Sequence, residues 1–295
     1  MITIKLVGGL GNQLFQYAFG RALATKQNTE LVLDHTTYTT WQFQTNDAVR
    51  NFKLDHFNIK ARLITETESL AQHTFKKRLL RKIKRKIFPH QAYIFNPQYF
   101  SVQNDSYLEG FWQSEKYFSP IADEIRKELT LKTPLTTQAT SLRNTIKTST
   151  PAVSLHVRRG DYANNPSISK RFGMCDIEYY KKALALLTEK LGTYSVFIFS
   201  DDIEWAKEHL PQILPLGVQD HYMSRPDPAD YGKFDYEEII LMSSCDHHII
   251  ANSSFSWWGA WLNPNNKKIV IAPKQWIADK RVKTRDVIPS NWIQI

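Results

Sequence analysis

The sequence has little cysteine and no long apolar run. Cys175 and Cys245 are the only cysteines among 295 residues and do not form a Cys-x-x-Cys pair. We therefore expect two core residues rather than a disulfide framework or a zinc site. No stretch approaches the roughly 20 apolar residues that span a bilayer, and the first residues lack the basic start and apolar core of a signal peptide. These absences predict a cytoplasmic protein.

Several ligand-binding motifs are also missing. The sequence contains no Asp-x-Asp, no His-Glu-x-x-His and no Gly-Lys-Ser/Thr, and the adjacent His247 and His248 have no partners at metal-ligand spacing. We predict that the protein requires no metal and no cofactor. If a nucleoside diphosphate leaves during a reaction, arginines and helix dipoles must stabilise its charge.

Positive charge is concentrated in one segment. The net charge is +9, and eight basic residues lie between Lys76 and Lys86. The rest of the chain is close to neutral, which argues against nucleic acid as a partner. Four apolar residues recur at helical spacing within 76–88, which predicts a basic amphipathic helix. This helix either makes peripheral contact with the inner face of a membrane or is simply solvated, and both interpretations stay open.

The length and the 42% apolar content favour two domains. The chain opens with a strand over 2–7, a glycine turn, a helix over 12–26 and a second strand over 30–34. Residues 131–150 are rich in Thr, Ser and Pro with little apolar periodicity, which is typical of a linker or a domain boundary.

Strands and helices alternate after this boundary. We predict strands at 152–157, 195–199, 248–251 and 269–272, and helices at 176–191, 203–210, 236–244 and 254–262. Such alternation indicates an α/β fold with parallel sheets covered by helices. We predict two Rossmann-like domains facing a cleft, at 1–135 and 150–295, with ligands beyond the carboxyl ends of the strands.

The strand at 152–157 ends in His156-Val-Arg-Arg-Gly-Asp-Tyr. The adjacent Arg158 and Arg159 offer planar forks of donors that suit a pyrophosphate, and Asp161 can hold one guanidinium in place. Gly160 is expected to allow a sharp turn. A purely structural Arg–Asp ion pair is the alternative interpretation.

The strand at 195–199 is followed by Ser200, Asp201 and Asp202, and a helix starts immediately afterwards. One aspartate can cap that helix. Capping explains only one of the two, so we predict that the other carboxylate accepts hydrogen bonds from N1 and N2 of a guanine.

A polar turn, Asn252-Ser253-Ser254-Phe255, opens the helix at 254–262. Hydroxyls and free backbone N–H groups at a helix N-terminus form an anion site, so we predict phosphate contact for Ser253 and Ser254. The aromatic residues Trp257, Trp258 and Trp261 are expected in the core.

The glycine-rich start is an incomplete dinucleotide fingerprint, because Leu14 stands where the third glycine belongs. We expect Gly9 and Gly11 to let the backbone approach a ligand, with the amides of Asn12 and Gln13 as hydrogen-bonding groups. Asp34 lies where a dinucleotide enzyme would hold a ribose. An NAD-dependent oxidoreductase therefore stays an alternative, as does a noncatalytic carbohydrate-binding module, for which the eight tryptophans argue.

Taken together, the motifs resemble the alpha-1,2-fucosyltransferases. The resemblance covers nearly the whole chain and is carried by GGLGNQLFQYAFGRALA, GFWQSEKYF, HVRRGDY, FSDD and NSSFSWWGAWLN. It implies a GT-B fold, GDP-fucose as donor, inversion at the anomeric carbon and no required metal. The implied acceptor is a galactose-containing oligosaccharide or a lipid-linked glycan.

The resemblance also implies roles for individual residues. Arg158 would contact the donor phosphates with help from Arg159, and His156 would orient the nucleotide. Guanine would be recognised by Asp201 or Asp202, and the nucleotide pocket would be lined by Asn252, Ser253, Ser254 and Phe255. The general base is left among Asp161, Glu115 and Asp34, with Asp161 preferred. From the roles of the two domains alone, we expect acceptor choice in the N-terminal half, at residues that include Trp41, Phe111, Trp112 and Gln113.

Overall fold

The described residues form two compact units. The computed structural model describes residues 1–39, 51–72, 74, 92–149, 151–160, 165–223 and 233–295. The first unit contains residues 1–132 and 283–287, and the second contains 133–282 and 288–295. The basic segment 76–88 lies outside the described residues.

The first unit is built on a four-stranded parallel sheet in the order β3-β2-β1-β4. Its strands are β1 (Ile2–Lys5), β2 (Leu31–Asp34), β3 (Arg62–Leu63) and β4 (Ser106–Glu109). Its helices are α1 (Leu10–Lys26), α2 (Thr36–Thr39), α3 (Glu66–Gln72) and α4 (Ala122–Glu128). Because β4 returns to the far side of β1, the chain changes winding direction beside β1, as in a doubly wound fold.

Helix α1 packs closely on this sheet through Gly20. A β-carbon at Gly20 would lie 2.6 Å from Ile4 Cγ1 and 2.8 Å from Leu31 Cδ1. The preceding residue of the helix, Phe19, stacks its ring on Trp112 with centroids 4.2 Å apart. The glycine lets the helix backbone approach the strands, and the aromatic pair fills the space beside it.

The second unit contains a six-stranded parallel sheet in the order β10-β9-β8-β5-β6-β7. Its strands are β5 (Ala152–Val157), β6 (Ser195–Ser200), β7 (Gln219–Met223), β8 (His247–Ile249), β9 (Val270–Ala272) and β10 (Ile293–Gln294). Its helices are α5 (Thr137–Thr148), α6 (Pro166–Phe172), α7 (Ile177–Leu191), α8 (Ile203–His209), α9 (Asp235–Ser243) and α10 (Ser254–Leu262).

Helices cover both faces of the second sheet. Leu155 of β5 lies in a buried cluster with Leu184 of α7 and Ala206 of α8. On the other face, Phe197 of β6 lies in a buried cluster with Leu241 of α9 and residues of α5. These two apolar layers hold the strands rigidly, so the residues that follow each strand are fixed at the carboxyl edge. The predicted α/β class with parallel sheets is confirmed.

The predicted linker at 131–150 is wrong in one respect, because most of it is helix α5. The Thr136 side chain caps this helix by accepting from Ala139 N–H. Ala139 and Ile146 are buried, and Leu142 packs against the same cluster. The spacing of four, three and four residues from Leu135 to Ile146 is helical, a signal that the Thr- and Ser-rich composition concealed.

Candidate anion-binding site at the edge of the second sheet

Three motifs of the second unit meet at one edge of its sheet. Strand β5 lies between β8 and β6, so the turn after β5 is flanked by the turns that follow its two neighbours. The chain winds outward in opposite directions from β5 and β8, which makes this a topological switch point, where open α/β sheets bind ligands. The residues concerned are Arg158 and Arg159 after β5, Asp201 and Asp202 after β6, and Asn252 to Phe255 after β8.

Arg158 and Asp201 form a largely buried ion pair. Arg158 Nη1 lies 2.8 Å from Asp201 Oδ2, and the two side chains are 19% and 5% exposed. The other carboxylate oxygen of Asp201 accepts the backbone N–H of Arg159 at 2.7 Å. Asp201 thus holds both the side chain of the first arginine and the backbone of the second.

Arg159 is held separately. Its Nε donates to Asp202 Oδ2 at 3.2 Å, and its guanidinium carbon lies 4.2 Å from the centroid of the Trp205 ring. Asp202 Oδ1 accepts the backbone N–H of Trp205 at 3.2 Å and so caps helix α8. Asp202 is therefore the helix cap expected from the sequence. The other aspartate, Asp201, is accounted for by its contacts with the two arginines. Guanine recognition by either carboxylate stays a prediction.

His156 is enclosed beneath this edge. It is 5% exposed, and its ring centroid lies 5.7 Å from that of Phe255. Burial, reinforced by the positive charge of Arg158, lowers the pKa of His156 to about 3, so its imidazole is neutral near pH 7. Its buried Nδ1 has no hydrogen-bond partner among the described residues. A buried polar atom of this kind is normally satisfied by a ligand or a water molecule.

The turn after β8 is held by Asn252. Its Nδ2 donates to the carbonyls of Phe172, at 3.1 Å, and Gly173, at 3.2 Å, and its Oδ1 lies 3.7 Å from the Cys175 thiol. The side chain therefore ties this turn to the end of α6. A contact between Asn252 and a ligand stays a prediction.

Ser253 is the N-cap of α10, because its hydroxyl accepts the backbone N–H of Phe255 at 3.3 Å. Ser254 is the first residue of the helix and is partly exposed. The helix N-terminus contributes positive electrostatic potential next to the arginines. As predicted, Trp257, Trp258 and Trp261 are buried in the core.

The residues of the glycine-rich start of the first unit make structural contacts within the protein. Gly8 has a φ of +86°, Gly9 caps α1, and Gly11 is a buried residue of that helix. The Gln13 side chain is fully buried; its Nε2 donates to Asn51 O at 2.8 Å and its Oε1 accepts Lys53 N–H at 3.0 Å.

Asn12 lies beside these contacts and is partly exposed. Its Oδ1 accepts from Gln113 Nε2 at 2.6 Å, which joins the turn after β1 to the turn after β4. Ligand contacts by Gly9, Gly11, Asn12 and Gln13 stay predictions.

Two expectations for the first unit need correction. Asp34 has no exposed surface and accepts hydrogen bonds from Thr36 N, at 3.0 Å, and the Tyr107 hydroxyl, at 2.5 Å, which argues against Asp34 as a general base. Trp112 is fully buried against Phe19, so the expectation that it contacts an acceptor is wrong. The local sequence around Trp112 shows no periodic pattern that would indicate this aromatic stack. Trp41 and Asp161 lie outside the described residues.

Two kinds of feature are absent from the described residues. No helix among them is long and apolar enough to cross a membrane. Within the same residues, no group of three or more His, Cys, Asp or Glu side chains is arranged to hold a metal ion.

Known proteins share this fold. The solved structure of the NodZ alpha-1,6-fucosyltransferase soaked with GDP-fucose superimposes with a TM-score of 0.52 over 89% of this chain and 92% of that chain. The two sequences are only 16% identical, so this likeness concerns the fold alone.

Relatives in sequence are more informative. An Alpha-1,2-colitosyltransferase of Escherichia coli is 33% identical over 306 residues, which cover 100% of this chain and 99% of the relative. A Galactoside 2-alpha-L-fucosyltransferase of Caenorhabditis elegans is 25% identical over 99% of this chain and 78% of the relative. These similarities confirm the resemblance to alpha-1,2-fucosyltransferases. They lend no support to a noncatalytic carbohydrate-binding module or to an NAD-dependent oxidoreductase. The pattern of Glycosyl transferase family 11 matches residues 1–295, and the chain belongs to that family.

Proposed function

We propose that this glycosyltransferase moves L-fucose from GDP-fucose to the 2-hydroxyl of a galactose residue in an oligosaccharide or a lipid-linked glycan. The observation that carries the proposal is the pair of arginines, Arg158 and Arg159, held by Asp201 and Asp202 at the switch point of the second sheet. Guanidinium groups are suited to the two phosphates of GDP. The names of the relatives support the donor and the linkage.

The reaction would be an inverting displacement. The acceptor 2-hydroxyl attacks C1 of the fucose from the face opposite GDP, the bond from C1 to the phosphate oxygen breaks, and GDP leaves with an additional negative charge. Arg158, Arg159 and the N-terminus of α10 would stabilise this charge. They supply positive charge at the place where other transferases use a metal ion, which supports a metal-independent reaction.

The remaining donor contacts follow from positions around the arginines. The neutral His156 would use its buried Nδ1 to fix the nucleotide or a bound water, with Phe255 against its ring. Ser253 and Ser254 would meet a phosphate at the helix N-terminus, and one carboxylate of the aspartate pair would meet guanine after releasing its arginine.

The division of labour between domains is also part of the proposal. We assign GDP-fucose to a domain at 150–295 and the acceptor to a domain at 1–135, in the GT-B arrangement, with donor contacts from Gly9 to Gln13. A parallel sheet in each unit and the likeness in fold to a solved fucosyltransferase support this assignment. Asp161 stays the preferred general base.

The donor sugar has a second candidate, because the relatives differ in the sugar named. One is a fucosyltransferase and the other a colitosyltransferase. Colitose differs from L-fucose in lacking the 3-hydroxyl. GDP-colitose and GDP-fucose therefore share the guanosine diphosphate and the reacting carbon C1. GDP-colitose is therefore the alternative donor to test beside GDP-fucose.

The test is an assay of the purified chain with each donor, lactose and excess EDTA, scoring transfer product and free GDP. We expect 2-linked fucosyl-lactose in the presence of EDTA, and a 100- to 1,000-fold lower rate for Arg158→Ala. GDP release without a transfer product would keep the donor and overturn lactose as acceptor. If the chain neither releases GDP nor binds GDP-fucose, the proposal is overturned. Normal turnover by a folded Arg158→Ala variant would also overturn it.

Arg281→Ala is the matched control. Arg281 is 88% exposed and pairs with Asp279 in the same unit. Exposed ion pairs contribute little to stability. The control removes one guanidinium from the surface, so an equal loss of rate would show that net charge alone is responsible.

A further inference from the structure

Trp205 has an unusual environment on helix α8. One face of its indole lies against the Arg159 guanidinium, whose central carbon is 4.2 Å from the ring centroid. The indole also stacks on His209, with centroids 4.5 Å apart and an angle of 13° between the planes. His209 is itself fixed, because its Nδ1 lies 2.9 Å from Trp205 O. The indole thus contacts both a charged and an aromatic group.

The position of Trp205 follows from the start of the helix. Asp202 caps α8, and Trp205 comes three residues later, so the two side chains lie on the same side of the first turn. Both side chains contact Arg159, Asp202 at Nε and Trp205 at the face of the guanidinium. The next residue, Ala206, is fully buried and anchors the helix on the sheet.

These contacts leave the outer end of Arg159 open. Nε is occupied and one face of the plane is covered, but Nη1 and Nη2 have no hydrogen-bond partner within the part of the chain that the structure describes. Two parallel N–H donors on a fixed plane match two oxygens of a phosphate. Fixing them in advance reduces the ordering cost of binding.

We propose that Trp205 is a positioning residue that holds the Arg159 guanidinium in the plane required by the diphosphate of the donor. The inference rests on the proposed function, because it assigns Arg159 to the same diphosphate. Trp205 itself touches the arginine and acts only through it. The role also explains why a large aromatic residue stands, partly exposed, beside a cluster of charged groups.

The test is calorimetric titration of GDP into a double-mutant cycle: the wild type, Trp205→Leu, Arg159→Gln and the double variant. A cation–π contact of this kind corresponds to about tenfold in affinity. We expect Trp205→Leu to weaken GDP binding about tenfold, and Trp205→Phe to restore most of the loss because it keeps an aromatic face. In the Arg159→Gln background, replacing Trp205 should change the affinity by less than about twofold.

A control and a second variant keep the result interpretable. Glu204→Gln alters the neighbouring exposed residue, which pairs with Lys207, and should leave GDP binding unchanged. His209→Ala removes the stack behind Trp205 and should weaken GDP binding about threefold, again only when Arg159 is present. It serves in place of Trp205→Leu if that variant does not fold.

The outcomes separate this inference from the proposed function. Wild-type affinity in Trp205→Leu, or an equal loss with and without Arg159, would overturn the positioning role while GDP binding stands. Failure of the wild type to bind GDP would overturn the proposed function and this inference with it. A loss that requires Arg159 and is rescued by phenylalanine would support both.

Discussion

The carboxylate of Asp201 fills the space directly above the α-carbon of Gly160, where a β-carbon would lie 2.5 Å from Asp201 Oδ2. That oxygen lies 2.8 Å from Arg158 Nη1, and the other accepts Arg159 N–H. The backbone of Gly160 does not adopt a positive φ, so the sharp turn expected there is not the reason for the glycine. The missing side chain gives room to the aspartate that holds both arginines.

Gly160→Ala should therefore reduce catalysis more than stability. The new methyl group must displace Asp201, and misplaced reacting groups typically cost on the order of 100-fold in rate. We expect kcat/KM to fall about 100-fold, while the free energy of unfolding falls by about 1–3 kcal/mol from local crowding. Steady-state kinetics with GDP-fucose and urea unfolding of the same preparation measure the two effects.

Gly192→Ala is a suitable control for this substitution. Gly192 has a φ of +72° at the end of α7, and no heavy atom lies within 4 Å of a β-carbon placed there. Its replacement should cost about 1 kcal/mol of backbone strain and leave kcat/KM unchanged. Equal kinetic losses in both variants would show that Gly160 acts through general stability.

The sequence predicted which residues lie at this edge of the sheet, but it predicted less well the contacts that their side chains make with one another. Alternating strands and helices, with Arg158, Asp201 and Asn252 placed after strands, were enough to predict that these residues meet. Which aspartate caps a helix and which pairs with an arginine depends on side-chain geometry between β5 and β6, which residue spacing does not encode.

Edge strands and buried amides were harder to predict. Strand β7, Gln219–Met223, lies at the sheet edge with its first residues exposed, so it lacks the apolar run that marks β5. The amide of Gln13, which is predicted to be a ligand group, has hydrogen-bond partners in Asn51 and Lys53, about 40 residues away. Contacts over such separations follow from the fold and have no local pattern.

The stability of the protein should fall as the pH falls below neutrality because of buried histidines. Burial, followed by the nearby Lys268 and His247, lowers the pKa of His248 to about 3, and His156 has a similarly low pKa. An unfolded histidine titrates near pH 6.5, so the unfolded chain binds more protons below that pH. Each buried histidine then lowers the free energy of unfolding by about 1.4 kcal/mol per pH unit between pH 6.5 and pH 3.

The substitution His248→Asn isolates one of these contributions. His248 lies in a chain of hydrogen bonds, with Nδ1 2.7 Å from Ser154 Oγ and Nε2 2.8 Å from Asn263 Nδ2. The variant should be less stable at pH 7, but its loss of stability between pH 6.5 and pH 5 should be shallower by about 1.4 kcal/mol per pH unit. Urea unfolding across this window measures the effect. If the unfolding free energy of the variant falls with pH as steeply as that of the wild type, the assignment is wrong.

A buried hydrogen bond stabilises the first unit. The Tyr17 hydroxyl donates to Glu128, a carboxylate only 4% exposed that also pairs with Arg21 at 3.1 Å. Burial raises the pKa of Tyr17 far above its ordinary value, so the hydroxyl stays protonated and able to donate. Tyr17→Phe should cost about 1–3 kcal/mol of unfolding free energy. Tyr38→Phe, which removes a bond to the neutral Gly8 carbonyl, should cost less, and the reverse order would contradict this account.

Asn252 provides the sharpest distinction between a structural role and a ligand-binding role. Its Nδ2 faces the carbonyl oxygens of Phe172 and Gly173, so Asn252→Asp would place a buried carboxylate oxygen against two acceptors. We expect a loss of about 3 kcal/mol in unfolding free energy, measured by urea denaturation. Asn265→Asp is the control, because Asn265 uses its oxygen to accept Lys267 N–H and an aspartate keeps that bond. An Asn252→Asp variant as stable as the wild type would contradict the structural role of this side chain.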